Sequence, residues 1–159
     1  MPETAVDIGP TPFFEDLTFL ERLADEGGMG RYRVVIGEEE TLADLLVHEP
    51  EAVPMEFFLD WARRFETLEF KGVPSIVRID ETGDATGIIF EHIDGESLNA
   101  RLEVNQGTMA EIDALSIIMQ AATTLQSAHQ KGIVHGALEA ENIQLFERSG
   151  GLDGVVLTG

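Results

Sequence analysis

The feature that most constrains this chain is a change of hydrophobic period at Asp94-Gly95. Upstream, short apolar runs alternate with glycine and polar turns: Phe19-Leu20-Glu21-Arg22-Leu23, the turn Asp25 to Gly30, Tyr32 to Ile36, and Leu42 to Val47. Such runs, bounded by turn residues, predict strands. Between Met55 and Phe70 the apolar residues Phe58, Trp61, Ala62, Phe65 and Leu68 follow a helical spacing and predict about four turns of helix. Two further strands, Ser75 to Ile79 and Thr86 to Glu91, are joined by the polar turn Asp80 to Asp84. Downstream of the switch, Ser97 to Val104 predicts a short helix and Met109 to Lys131 a long one closed by Gly132. Ile133 to His135, Asn142 to Phe146 and Val155 to Thr158 are short strand-like pieces around a polar loop. The pattern predicts an α+β fold in two parts, a five-stranded antiparallel sheet with one helix followed by a helical region. Residues 1–12, with Pro2, Pro10 and Pro12, are expected as a flexible tail, 13–93 as the sheet part and 94–159 as the helical part.

Composition removes several functions. The 159 residues are 43% hydrophobic, enough for one core. Ten Lys+Arg against thirty Asp+Glu leave a formal charge of −20, which repels a phosphate backbone or an anionic membrane surface. No nucleic acid and no direct membrane contact are therefore expected as partners. The acids are interleaved with apolar residues, so the charge reads as surface rather than as disorder. With no cysteine there is no disulfide, thiolate ligand or thiol nucleophile. Four dispersed histidines show no metal-ligand spacing. Met1 to Thr4 lack an export signal and no run approaches a membrane span, so a cytoplasmic location is expected, including as the cytoplasmic part of a larger protein.

The string Gly132-Ile133-Val134-His135-Gly136-Ala137-Leu138-Glu139-Ala140-Glu141-Asn142-Ile143 resembles the catalytic-loop segment of protein kinases, G-I-V-H-R-D-L-K-P-E-N-I. Other segments follow in the right order. Glu26 to Gly30 is similar to the glycine-rich loop of bacterial Ser/Thr kinases, Ile88 to Leu98 to their hinge and following helix, and the helix ending Ala128-His129-Gln130-Lys131 to the one before their catalytic loop. The resemblance covers residues 17 to 159 and implies a two-lobe kinase-like fold, here a first lobe and the helical start of a truncated second lobe. It also implies a nucleotide site formed by Gly27, Gly28, Gly30, the third-strand position His48, and Phe90, Glu91 and Ile93 at the hinge.

The departures from the family carry the functional reading. The family's proton-accepting Asp is Ala137, and its following Lys and Pro are Glu139 and Ala140. A methyl group cannot accept a proton, and Glu139 reverses a charge beside the transferring phosphate. Gly159 stands where the magnesium-binding Asp belongs, or Leu157 in the alternative register. Asp25 replaces the first glycine of the loop, and His48 replaces the phosphate-anchoring Lys. Asp60, Trp61 or Arg64 fall nearest the position of that lysine's Glu partner. Only Asn142, the family's second metal ligand, survives of the acid-base and metal set. Gly27, Gly28 and Gly30 equally suit a hairpin turn, His135 suits a semi-buried brace, and Phe90 suits a core position.

These residues predict a catalytically inactive kinase-like domain, a pseudokinase, working as a protein-interaction or regulatory module in bacterial signalling. No cofactor is expected, and magnesium-ATP would engage Asn142 if it entered. The alternative is a divergent ATP-dependent phosphotransferase, a Ser/Thr kinase or an aminoglycoside-phosphotransferase-like enzyme whose loop begins H-G-D and so matches Gly136. The long helix has two apolar stripes, Ile112, Leu115, Met119, Ala122, Leu125 and Ala114, Ile117, Ala121, Ala128. Either it is buried on both sides, or one face meets another protein, including a second copy through residues 109–131.

Overall fold

The computed structural model describes residues 14, 16–26, 29–48, 53–67, 72–82, 85–147 and 154–158. The expected tail, Gly27 and Gly28, the turn residues Gly83 and Asp84, and Gly159 lie outside them. The chain falls into two units, one of residues 1–63 with 75–92 and one of residues 64–74 with 93–159.

The first unit is a five-stranded sheet of β1 (Leu17–Glu26), β2 (Met29–Ile36), β3 (Thr41–Val47), β4 (Ile76–Thr82) and β5 (Ala85–Glu91), with α1 (Met55–Glu66) between β3 and β4 in the chain, its last three residues grouping with the second unit. The strand order is β1-β2-β3-β5-β4 and every pair is antiparallel. The β2–β3 hairpin turns through Gly37 at φ +62° and Glu40 at φ +51°, which exposes Glu38, Glu39 and Glu40. Because side chains alternate across a strand, the sheet carries a core on each face. Phe14, Val34, Ala43, Leu45 and Ile89 form one, with Leu17, Phe19, Tyr32 and Val47 around them. Phe58 and Ala62 of α1 close over Ile88, with Leu46, Trp61, Ile76 and Phe90, to form the other. Ahead of β1, Asp16 reaches β4 at the opposite edge, where Arg78 Nη2 and Nη1 donate to its two oxygens at 2.6 and 2.7 Å and Arg78 Nε donates to Asp80 at 2.9 Å. The guanidinium holds the Asp16 carboxyl below the usual carboxylate range, through these hydrogen bonds above all.

Three boundaries in this unit differ from the sequence reading. Asp25, Glu26, Met29 and Gly30, read as part of a turn, extend β1 and β2, with Asp25 paired to Gly30 and Glu26 to Met29. The helix read to Phe70 stops at Glu66, because the Thr67 backbone N–H and hydroxyl both donate to the Arg64 carbonyl, at 3.0 and 2.7 Å, and compete with the helical ladder. Asp80 to Thr82, read as a turn, extend β4, pairing with Gly87, Thr86 and Ala85.

The second unit holds β6 (Glu96–Ser97), α2 (Leu98–Val104), α3 (Glu111–Gln130), a 3-10 turn at Ala140–Asn142, β7 (Ile143–Phe146) and β8 (Gly154–Leu157). Ser97 Oγ caps α2 by accepting from the Ala100 N–H at 3.1 Å. The long helix starts at Glu111 rather than Met109, since Ala110 is extended and forms its N-cap. It ends where Gly132, at φ +74°, turns the chain so that the N–H groups of Lys131 and Ile133 both reach the Ala128 carbonyl. Ile117 and Ala121 pack on Leu145, Val155 and Leu157, so one apolar stripe of α3 covers the β7–β8 pair. The other stripe is split: Ile112, Leu115 and Met119 are 67%, 50% and 68% exposed, with Ile118 beside them at 63%, whereas Leu125 packs on the same buried cluster as Ile117 and Ala121. Residues 64–74, read above as part of 13–93, group with this unit. Phe65 and Val73 pack on Ala128 and Ile133, and the Leu157 N–H donates to the Gly72 carbonyl at 2.8 Å.

Ile133 to His135 form no strand. They run irregularly between two glycines of positive φ, Gly132 and Gly136, with Ile133 buried and Val134 exposed. Asn142, read as the start of a strand, closes the 3-10 turn, and the two-residue β6, too short to leave a periodic signal, pairs with β7.

Candidate functional site

In the first unit, Gly30 lies within β2, opposite Val47. A Cβ there would come within 2.7 Å of the Tyr32 ring, which would have to shift to admit it. Phe19 meets that ring edge-on at 5.4 Å, and the Arg22 guanidinium stands 5.7 Å from its centroid.

His48 follows the last residue of β3 and is only 6% exposed. Its backbone N–H donates to Thr86 O, its Nε2 lies 2.5 Å from Val53 O, and its ring centroid is 5.2 Å from that of Phe58. The imidazole therefore donates from Nε2 and ties the end of β3 to the chain entering α1. On α1, Asp60 and Arg64 are exposed, whereas Trp61 turns inward with its ring centroid 6.5 Å from Phe90. Phe90 is half-buried on β5, and Glu91 Oε1 accepts from the Ser75 N–H and hydroxyl at 2.9 and 3.0 Å.

The sequence reading missed a charge cluster beside Phe90. Asp44 faces Phe90 across the β3–β5 pair and Arg33 across the β2–β3 pair. Arg33 Nε is 3.4 Å and His92 Nδ1 3.6 Å from Asp44 Oδ1, Arg31 Nη2 is 3.8 Å from Asp44 Oδ2, and Arg33 Nη1 donates to Glu21 at 2.8 Å. The available signal was alternation: Arg31 and Arg33 one residue apart on a strand must share a face. The register that sets Asp44 against them belongs to the pairing.

In the second unit, the loop read as catalytic is braced from within. His135 Nδ1 accepts from the Ala137 N–H at 3.3 Å, and Asn142 Nδ2 donates to the Ala137 carbonyl at 2.8 Å. The Asn142 N–H reaches Glu139 O at 3.0 Å, and Asn142 O accepts from the Thr158 N–H at 2.8 Å. Asn142 is buried, while the Ala137 methyl and the Glu139 side chain are exposed. Ile93, the last hinge residue proposed from the sequence, is half-buried in this unit. Among the described residues, no group of three His, Asp or Glu side chains could hold a metal ion, and no helix is long and apolar enough to cross a membrane.

Comparison with known proteins places these features. A family profile described as protein tyrosine and serine/threonine kinase matches residues 45–150. The chain is 33% identical over 132 residues to the serine/threonine-protein kinase pkn2 of Myxococcus xanthus, covering 79% of this chain and 15% of that protein. It is 33% identical over 139 residues to Pkn1 of the same organism, covering 82% and 19%, and 29% identical over 148 residues to the probable serine/threonine-protein kinase pknA2 of Bifidobacterium longum, covering 87% and 19%. The chain thus spans less than a fifth of the length of these three relatives. The fold is similar to that in the crystal structure of Rad53 1-466 in complex with AMP-PNP, with a TM-score of 0.75 at 15% identity over 92% of this chain and 39% of that one. The chain belongs to the protein tyrosine and serine/threonine kinase family, as a domain like those of bacterial serine/threonine kinases.

Proposed function

We propose that this chain is a catalytically inactive kinase-like domain that acts as a protein-interaction or regulatory module in bacterial signalling. The observation that carries the reading is Ala137. The loop around it keeps an ordered framework, with His135 and Asn142 both bonded to the Ala137 backbone, yet the side chain at the family's proton-accepting position is a methyl. A methyl cannot take the proton of an attacking hydroxyl. The neighbouring Glu139 is exposed and of the wrong charge for a phosphoryl group.

The residues present do not fit a magnesium nucleotide. At the position of the phosphate-anchoring lysine, His48 is buried and spends its Nε2 proton on Val53 O. Asn142 has one amide hydrogen committed to Ala137 O, and among the described residues no group of three His, Asp or Glu side chains could hold a metal ion. The reading that remains is recognition of another protein, for which the exposed apolar residues Ile112, Leu115, Ile118 and Met119 of α3 offer a surface.

The test is phosphoryl transfer from labelled ATP by the unmodified chain, to itself and to generic protein substrates. The expected result is no signal above a protein-free control. Transfer that Asn142→Ala abolishes would overturn the reading in favour of a divergent phosphotransferase.

A further inference from the structure

We propose that Asp44 closes the Phe90 side of the first unit's sheet to a purine nucleoside, so that an internal charge cluster stands where a kinase-like reading would seat the base. The inference rests on the reading above for the place of the base and on the sheet for the rest. Directly opposed residues of an antiparallel pair share a face. The pairs Arg31–Leu46, Arg33–Asp44, Asp44–Phe90 and Leu46–Ile88 therefore put Asp44 and both arginines on the face that carries Phe90.

These charges are withdrawn from water. The side chains of Asp44, Arg31, His92 and Arg33 are 15%, 20%, 23% and 30% exposed. Their attraction is shared: three cationic or potentially cationic groups approach one carboxylate at 3.4 to 3.8 Å. His92 Nδ1 is buried and makes no hydrogen bond among the described residues.

A base laid over Asp44 would cover this cluster and strip its remaining water without supplying a charge in return, which is costly for ions already half-buried. Nor is the cluster free to swing away, since Arg33 is anchored at its far end by Glu21.

The experiment is calorimetric titration of the full chain with adenosine, which carries no phosphate and so does not read simple attraction to Arg31 and Arg33. The unmodified chain is expected to give no saturable heat at millimolar adenosine. Asp44→Val, a strand former that continues the Leu46 surface, is expected to bind at least about tenfold tighter. Trp61 fluorescence reports whether it folds, and Asp44→Thr carries the test if the valine variant does not. Saturable binding by the unmodified chain would overturn the proposal, as would a folded variant that binds no better. Neither touches the inactive-domain reading, which the transfer assay decides.

Discussion

Replacing His48 by lysine restores, by family resemblance, the cation that would hold phosphates, and the surroundings of His48 predict that the first unit loses stability instead. The imidazole is 6% exposed, hydrogen-bonded to the Val53 carbonyl and packed on Phe58. Losing that hydrogen bond costs about 1 kcal/mol, and losing the ring contact about 1 kcal/mol more. A lysine ammonium in the same place adds a desolvation cost, reduced to the extent that its stem can carry the charge to water. The sum is about 2 to 4 kcal/mol, a large share of the roughly 5 to 15 kcal/mol of a typical domain. His48→Gln, which keeps an N–H donor but no ring, is expected to lose about 1 kcal/mol. The assay is urea unfolding followed by the fluorescence of Trp61, the single tryptophan, which shares a cluster with Phe58 and Phe90 and reports on the first unit. A His48→Lys variant whose stability lies within about 0.5 kcal/mol of the parent would refute the reasoning, because neither the carbonyl bond nor the burial would then matter.

Gly72→Ala is expected to destabilise the second unit by about 1 to 3 kcal/mol, since the new Cβ would lie 1.8 Å from Thr124 Oγ1. Thr124→Ala in the same chain should restore part of the loss in thermal melts, and no loss in the single variant would refute the packing. Asp16→Asn is expected to remove a small stabilisation, under about 1 kcal/mol because the pair is exposed. Asp16 has its pKa lowered from 3.8 in the folded chain, so its contribution is full above that value and fades as pH falls through the depressed one. Parent and variant should therefore differ in urea midpoint at pH 6 and converge in strong acid, and a gap that widens on acidification would contradict the sign. Ile118→Lys with Met119→Lys, both exposed on α3, should leave stability within about 0.5 kcal/mol while abolishing self-association or partner capture measured by sedimentation. Unchanged association would move the interaction surface elsewhere.

Local chemistry was legible in the residues. Alternating runs marked the strands, Gly132 marked the end of α3, and the string from Gly132 to Ile143 marked the loop, because each of these is set by neighbours close in the chain. What the residues near His48 could not convey is that its ring would be spent on a carbonyl five positions on and a phenyl ring ten on, since that depends on how α1 docks. The choice between the two apolar stripes of α3 was likewise open, as either could bury, until Leu145, Val155 and Leu157 came together against Ile117 and Ala121. The charge cluster on Asp44 was invisible for a related reason: strand register decides which residues share a face, and a shift of one residue would have sent Asp44 to the opposite core. The sequence alone pointed to the family and set Ala137 where the resemblance expects a proton acceptor, both written in one short stretch of chain. Tertiary structure decided what surrounds His48, Asp44 and α3, because those neighbours meet only through packing between elements distant in sequence.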